Sequence, residues 1–191
     1  MEAELKTIQD NLKKVLSEDR YEHTMGVMYT AACMAMVHGV DLRQAQYAGL
    51  LHDCAKCIPH KKQLALCQEA HVAISDFERD HLFLLHAKLG AYLAEKTYGI
   101  HDKEILEAIR WHTTGKAAMS DLEKIIYIAD YIEPNRDKAP HLPQVRKLAF
   151  EDLDACMLAI LSDTVTYLST DPASMDPTTL EAYKYYICKE M

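Results

Sequence analysis

The sequence predicts an all-α fold, and three observations carry that reading. Apolar residues recur three and four positions apart in segment after segment, the spacing that lines one face of a helix. Helix punctuation bounds those segments, with Ser or Asp before them and Gly or Pro after them. No stretch alternates apolar and polar residues long enough to make a half-buried strand.

The first helix is expected over 4–16, where Leu5, Ile8, Leu12 and Val15 share a face. Ser17 caps a second, which runs to His38 and stops at Gly39. Asp41 caps a third over 42–54, and Pro59 opens a short segment over 60–70. A helix over 82–98 ends at Gly99, and another over 102–112 stops near Gly115. Ser120 caps a helix over 121–132, which Pro134 terminates. Beyond the loop Pro140-His141-Leu142-Pro143, one long helix is expected to Leu168, and a final helix begins after Pro177.

A chain of 191 residues with 49% hydrophobic content can build one sizeable core, so a single domain is expected over 1–191. With 6 Gly and 6 Pro, and no low-complexity stretch, nothing marks a linker. The net charge of -8 argues against nucleic-acid or anionic-membrane partners, which need a basic face. A small anionic substrate stays open, because basic residues gather locally: Lys56 with Lys61 and Lys62, Arg110 with Lys116, Arg136 with Lys138. Lys61 and Lys62 read as solvated surface. Neither a secretory leader nor a membrane-spanning run is discernible. Of the 6 cysteines, most fall in apolar helical patterns, as small buried thiols do, and Cys54-x-x-Cys57 lacks a second pair to complete a zinc site. A reduced, cytoplasmic protein is expected. One helix face could serve a homodimer.

The chemistry begins at His52-Asp53, which ends the apolar run Ala45-Gln46-Tyr47-Ala48-Gly49-Leu50-Leu51. A buried carboxylate must be paired, hydrogen-bonded or bound to a metal. His23, His86, His112 and Asp130 occupy similar settings: His23 shares a stripe with Val27, Ala31 and Met34, and His86 lies with Leu82, Leu89 and Leu93. His112 follows Ile105 and Ile109, and Asp130 follows Leu122 and Ile126. Each therefore points to the core side of its helix. Gly49, Ala87, Gly90 and Ala129 would let those helices approach closely. Taken singly, a histidine on an apolar stripe is more often a hydrogen-bonded core residue, and Asp130 could cap a helix or pair with an arginine. Together, four imidazoles and two carboxylates would each need a separate partner, whereas a shared metal centre satisfies them all. His38, His60, His71, His81, His101 and His141 sit near helix ends or in polar loops and read as surface, with His81 close enough to His86 to compete.

The ordered series His23, His52-Asp53, His86, His112, Asp130 resembles the HD-domain phosphohydrolases, in the variant with two extra histidines. The local words Arg20-Tyr21-Glu22-His23-Thr24, His52-Asp53-Cys54-Ala55-Lys56 and His86-Ala87-Lys88-Leu89-Gly90-Ala91 are similar to the YqeK family, the bacterial symmetrical diadenosine tetraphosphate hydrolases. So are Arg110-Trp111-His112-Thr113-Thr114-Gly115 and Ala129-Asp130-Tyr131-Ile132-Glu133-Pro134-Asn135-Arg136. The resemblance spans roughly 17–168 and implies an HD-type helical bundle around a buried dinuclear site. It implies that Asp53 bridges, that His23, His52 and Asp130 complete one metal, and that His86 and His112 hold the other. Mixed imidazole and carboxylate ligation suits iron, manganese or zinc, and the resemblance favours iron.

Two metals about 3.5–4 Å apart can share a water, lower its pKa to about 7 and clamp a phosphoryl oxygen during in-line attack. The implied reaction is attack on an inner phosphorus of diadenosine tetraphosphate, with ADP departing. Lys56 is placed to neutralise the charge that spreads over the equatorial oxygens. Arg136 suits bidentate phosphate recognition, and Thr113, Thr114 and Gly115 form a polar turn that could donate to phosphate or ribose or merely cap a helix. Two alternatives use the same residues: a hydrolase of another nucleotide, such as a mono- or diphosphate or an alarmone, and a non-catalytic nucleotide sensor. Intact residues at all six ligand positions count against the sensor.

Overall fold

The computed structural model describes Glu2 to Glu190, and among these residues the regular structure is all helical, without a strand. Met1 and Met191 lie outside the described residues. The helices are α1 (Glu2–Val15), α2 (Glu18–His38), α3 (Leu42–Leu51), α4 (His60–Glu69), α5 (Asp76–Asp80) and α6 (Leu85–Lys96). They continue with α7 (Lys103–Trp111), α8 (Asp121–Ile132), α9 (Leu142–Leu148), α10 (Leu153–Leu168) and α11 (Pro177–Glu190).

The caps act as their chemistry demands. Ser17 accepts the Arg20 N–H at the start of α2, and Gly39 closes that helix in the left-handed conformation at φ 71°. Asp41 accepts the N–H groups of Arg43 and Gln44, and Ser120 forms a reciprocal capping box with Glu123.

Three expectations need correction. Helix α3 ends at Leu51 rather than 54, because the chain passes into successive tight turns (Cys54 N–H to Leu51 O, Lys56 N–H to Asp53 O, Ile58 N–H to Ala55 O). The long helix expected up to Leu168 is two, α9 and α10. Asp152 accepts the N–H groups of Asp154 and Ala155 and so starts a new helix, as a short acidic side chain does more readily than it continues one. Helix α6 begins three residues late, behind a 3-10 turn at Leu82–Leu84. The short α5 ahead of it was not legible as a helix; its Ser75–Glu78 capping box and the Lys88–Glu78 ion pair (2.7 Å) hold it.

Helix α2 packs along α3 and α8, α7 bridges α3, α6 and α8, and α10 with α11 covers the far side of α8. The core carries Met28, Met34, Leu50, Leu51, Ile109, Ile125, Ile126 and Ile128, and a smaller cluster of Cys67, Leu85 and Leu89 lies under α4. Gly49 sets the α2–α3 distance: a Cβ there would sit 2.9 Å from the Met28 Cα, against backbone that cannot swing aside. Gly90 is less constrained, with a Cβ meeting the His52 carbonyl at 3.4 Å. Gly49→Ala is therefore expected to destabilise by about 1–3 kcal/mol through overpacking, less whatever helix propensity returns. Thermal unfolding monitored by circular dichroism measures this, and an unchanged midpoint would contradict so close a packing.

All six cysteines are free. Cys54, Cys67 and Cys156 are buried as expected, while Cys33, Cys57 and Cys188 are exposed, because each falls on the outer side of its helix or turn. Among the described residues, no helix is long and apolar enough to cross a membrane.

Candidate metal centre

Five separate elements deliver six polar side chains to one interior point. His23 comes from the body of α2, His52 from the C-cap of α3 and Asp53 from the turn after it. His86 comes from the first turn of α6, His112 from the C-cap of α7 and Asp130 from the last turn of α8. The four histidines and Asp53 are buried, and the Asp130 side chain is 23% exposed.

The imidazoles form two pairs. His23 Nε2 and His52 Nε2 are 3.3 Å apart, and His86 Nε2 and His112 Nε2 are 3.2 Å apart. Asp53 lies between them. Its Oδ2 faces the first pair, 3.5 Å from His52 Nε2 and 3.9 Å from His23 Nε2. Its Oδ1 faces the second, 3.3 Å from His86 Nε2 and 3.6 Å from His112 Nε2. Asp130 Oδ1 closes the first group at 3.1 Å from His23 Nε2.

The opposite edge of each ring determines what these distances mean. The Nδ1 atoms of His52, His86 and His112 lie 2.7, 2.6 and 2.7 Å from the carbonyls of Gly49, Phe83 and Ile109. A carbonyl only accepts, so each Nδ1 carries the hydrogen, and in the neutral ring Nε2 then carries the lone pair. His23 Nδ1 faces Glu133 Oε1 at 3.2 Å, with the same consequence. Neutral rings so oriented oppose lone pair to lone pair, which a cation between them turns into attraction. Asp53 Oδ1 is buried and has no hydrogen-bond donor of its own. Groups of ligand atoms within 4.8 Å of one another comprise His23, His52 and Asp130, and His52, Asp53 and His112. Imidazole nitrogens and carboxylate oxygens of this kind fit a divalent transition-metal ion.

The electrostatics agree with two ionised carboxylates and a neutral His86 ring. Burial pushes the Asp53 carboxyl up, but His52 and His112 outweigh it and hold the group well below the usual carboxylate range. Burial also opposes ionisation of Asp130, yet His23 and His52 hold it below its ordinary value. Burial, then the neighbouring His112, push His86 down to about 3, so its ring is neutral at neutral pH.

Around this centre, Lys56 Nζ sits 3.1 Å from His86 Nε2, and burial lowers its pKa against the opposing pull of Asp53. Thr113 Oγ1 lies 3.2 Å from His86 Nε2 and 3.1 Å from His112 Nε2. Arg136 Nη2 is paired with Asp130 Oδ1 at 2.8 Å. Thr114 and Gly115 are not brought to the centre. The Thr114 hydroxyl donates to the Gly115 carbonyl, its own carbonyl accepts from Thr179, and Gly115 packs against Tyr127 and Met119. Of the histidines read as surface, His60, His71, His101 and His141 are exposed. His38 and His81 are half-buried, because each bonds a carbonyl (Ala149 and Phe77), and His81 stacks on Phe77 away from the centre.

Two functional candidates escaped sequence reasoning. Arg20 Nη1 is 2.8 Å from Asp53 Oδ2, and Glu133 is the buried partner of His23. Spacing was the available signal, since Arg20 precedes His23 by three residues and so shares its face of α2. A cleft of about 760 Å³ opens onto the centre between Arg20, Tyr127, Asp130, Tyr131, Arg136 and Lys138.

Comparison with known proteins identifies the family. The HD domain family profile matches residues 20–135. A protein of Halalkalibacterium halodurans named "Bis(5'-nucleosyl)-tetraphosphatase, symmetrical" is 40% identical over 94% of this chain and 95% of its own length. A Bacillus subtilis protein of the same name is 39% identical over 92% of this chain and 94% of its own. A crystal structure from Clostridium acetobutylicum, described as a predicted HD superfamily hydrolase involved in NAD metabolism, superposes with a TM-score of 0.92 at 40% identity, covering 96% of this chain and 97% of that one. The profile match over residues 20–135, with relatives 39–40% identical along nearly their whole length, places this chain in the HD domain family, beside members named as symmetrical bis(5'-nucleosyl)-tetraphosphatases.

Proposed function

We propose that this protein hydrolyses dinucleoside tetraphosphates symmetrically, taking diadenosine tetraphosphate and water to two ADP. The observation that carries the reading is the placement of Asp53, one carboxylate oxygen toward each imidazole pair. The names of its relatives supply the substrate class. One HD domain over 1–191 would house the whole site.

His23, His52, Asp130 and one oxygen of Asp53 would hold one divalent ion, and His86, His112 and the other oxygen of Asp53 a second. Such a pair supplies Lewis acidity toward a phosphoryl oxygen and a water acidic enough to attack at neutral pH. Iron is the metal favoured, with manganese and zinc compatible with the same donors.

The chain's own cations do the remaining work. Arg20 and Arg136 each sit one hydrogen bond from a ligand carboxylate, where a guanidinium can receive phosphate oxygens in a fixed, two-pronged geometry. Lys56 stands across the centre beside His86 and meets charge spreading over the equatorial oxygens. Thr113 offers a hydroxyl at the same edge. With cations on both sides, a tetraphosphate lies across the centre with its middle bridge over it. The water oxygen bonds to one inner phosphorus and gives up a proton to solvent, the P–O bond of the middle bridge breaks, and its electron pair leaves on the terminal phosphate of the departing ADP. Thr114 and Gly115 shape the turn that carries Thr113. The six free cysteines suit a reducing, cytoplasmic setting, and a homodimer through one helix face belongs to the same reading.

Chromatography of the nucleotides released from diadenosine tetraphosphate tests this. ADP alone is expected. ATP with AMP would place the cut at an outer bridge and overturn the reading.

A further inference from the structure

We infer that Glu133 is a positioning residue. Its carboxylate takes the Nδ1 hydrogen of His23 and fixes that ring with the Nε2 lone pair toward the metal side, and Gly26 lacks a side chain to make room for it. The inference rests on the reading of His23 as a metal ligand proposed above.

The four imidazoles are oriented in two different ways. His52, His86 and His112 each use the carbonyl three residues upstream, which is free because all three rings sit at helix ends. His23 has no such partner. It lies inside α2, more than a turn from either end, where upstream carbonyls are already bonded within the helix. Its Nδ1 acceptor must come from another element, and Glu133, the C-cap of α8, supplies it at 3.2 Å.

Glu133 is only 2% exposed, and such a carboxylate persists only when its oxygens are occupied. They are: Oε1 faces His23 Nδ1, and Oε2 accepts the Asn135 N–H at 2.7 Å. Both partners require an acceptor. Gly26 stands one turn beyond His23, and a Cβ there would come within 2.6 Å of Glu133 Oε2. Glycine inside a helix is disfavoured relative to alanine, so its presence at this spot reflects the space the carboxylate needs. An ionised acceptor also strengthens the hydrogen bond and makes the ring a better donor, which a carbonyl partner does less well.

The test uses the whole protein carrying Glu133→Gln, and separately Gly26→Ala. Glutamine keeps the shape but has one acceptor oxygen for two donors, so an amide NH2 must face either His23 Nδ1 or the Asn135 N–H. Nitrogen-15 NMR of the metal-free protein reads the His23 tautomer directly. The native protein is expected to show His23 with hydrogen on Nδ1, and Glu133→Gln a mixture or the opposite tautomer. Titration with Mn2+ is expected to lose about 10–100-fold in affinity at the His23 centre. Gly26→Ala should move both readouts in the same direction, with a fall in thermal midpoint from the displaced carboxylate that alanine's helix preference partly offsets.

An unaltered His23 tautomer with superimposable Mn2+ titrations in both variants would overturn the inference. So would a fall in thermal midpoint alone, which marks a merely structural Glu133. A tautomer shift in a protein that binds no Mn2+ would uphold the orienting role of Glu133 and overturn the metal reading instead.

Discussion

Asp53→Ala is expected to abolish turnover, lowering kcat/KM for diadenosine tetraphosphate on the order of 10⁴-fold, the scale seen when a residue acting as part of a catalytic unit is removed. The physical reason is that Asp53 reaches both imidazole pairs: one carboxylate oxygen lies 3.5 Å from His52 Nε2 and the other 3.3 Å from His86 Nε2. Removing it also strips Arg20 of its 2.8 Å partner and leaves opposed lone pairs with less negative charge to hold a cation between them. Asp53→Asn keeps the shape and removes the charge. It separates the two effects, because it should retain the fold while binding metal far more weakly. Steady-state kinetics beside metal analysis of both variants checks this, and near-native turnover in Asp53→Ala would refute the assignment.

The second large effect is expected from metal removal. Exhaustive chelation should eliminate hydrolysis, and a divalent transition metal should restore it without refolding. The same titration should stabilise the chain, because an ion that binds only the folded state contributes about 2.7 kcal/mol at 100 times its Kd. For a chain of this size that corresponds to a rise in Tm of roughly 5–10 °C. Hydrolysis that persists at full rate after chelation, with no change in Tm on adding metal, would contradict a metal-supported site.

Much of this was legible in the sequence because it is written in short-range rules. Ser17, Asp41 and Ser120 cap where their side chains reach the second or third helical N–H, and Gly39 stops α2 because it can adopt positive φ. The six ligand candidates stood out because a polar residue on an apolar stripe must find a partner in the interior, and here they find one another. What escaped depends on chain path rather than pattern. Asp152 lies in a stretch whose apolar spacing runs on unbroken, so only its side-chain acceptance of two N–H groups reveals the break between α9 and α10. Glu133 looked like the end of a helix before Pro134, and nothing local says that its carboxylate turns inward to His23. Thr114 and Gly115 follow Thr113 closely, but the turn directs only Thr113 to the centre.

Anomalous X-ray scattering from crystals of anaerobically purified protein tests the account most directly. Two metal peaks are expected, one among His23, His52 and Asp130 and the other between His86 and His112, with Asp53 reaching both at about 2.0–2.2 Å. A centre without metal, or a single ion bound by exposed carboxylates elsewhere, would contradict it.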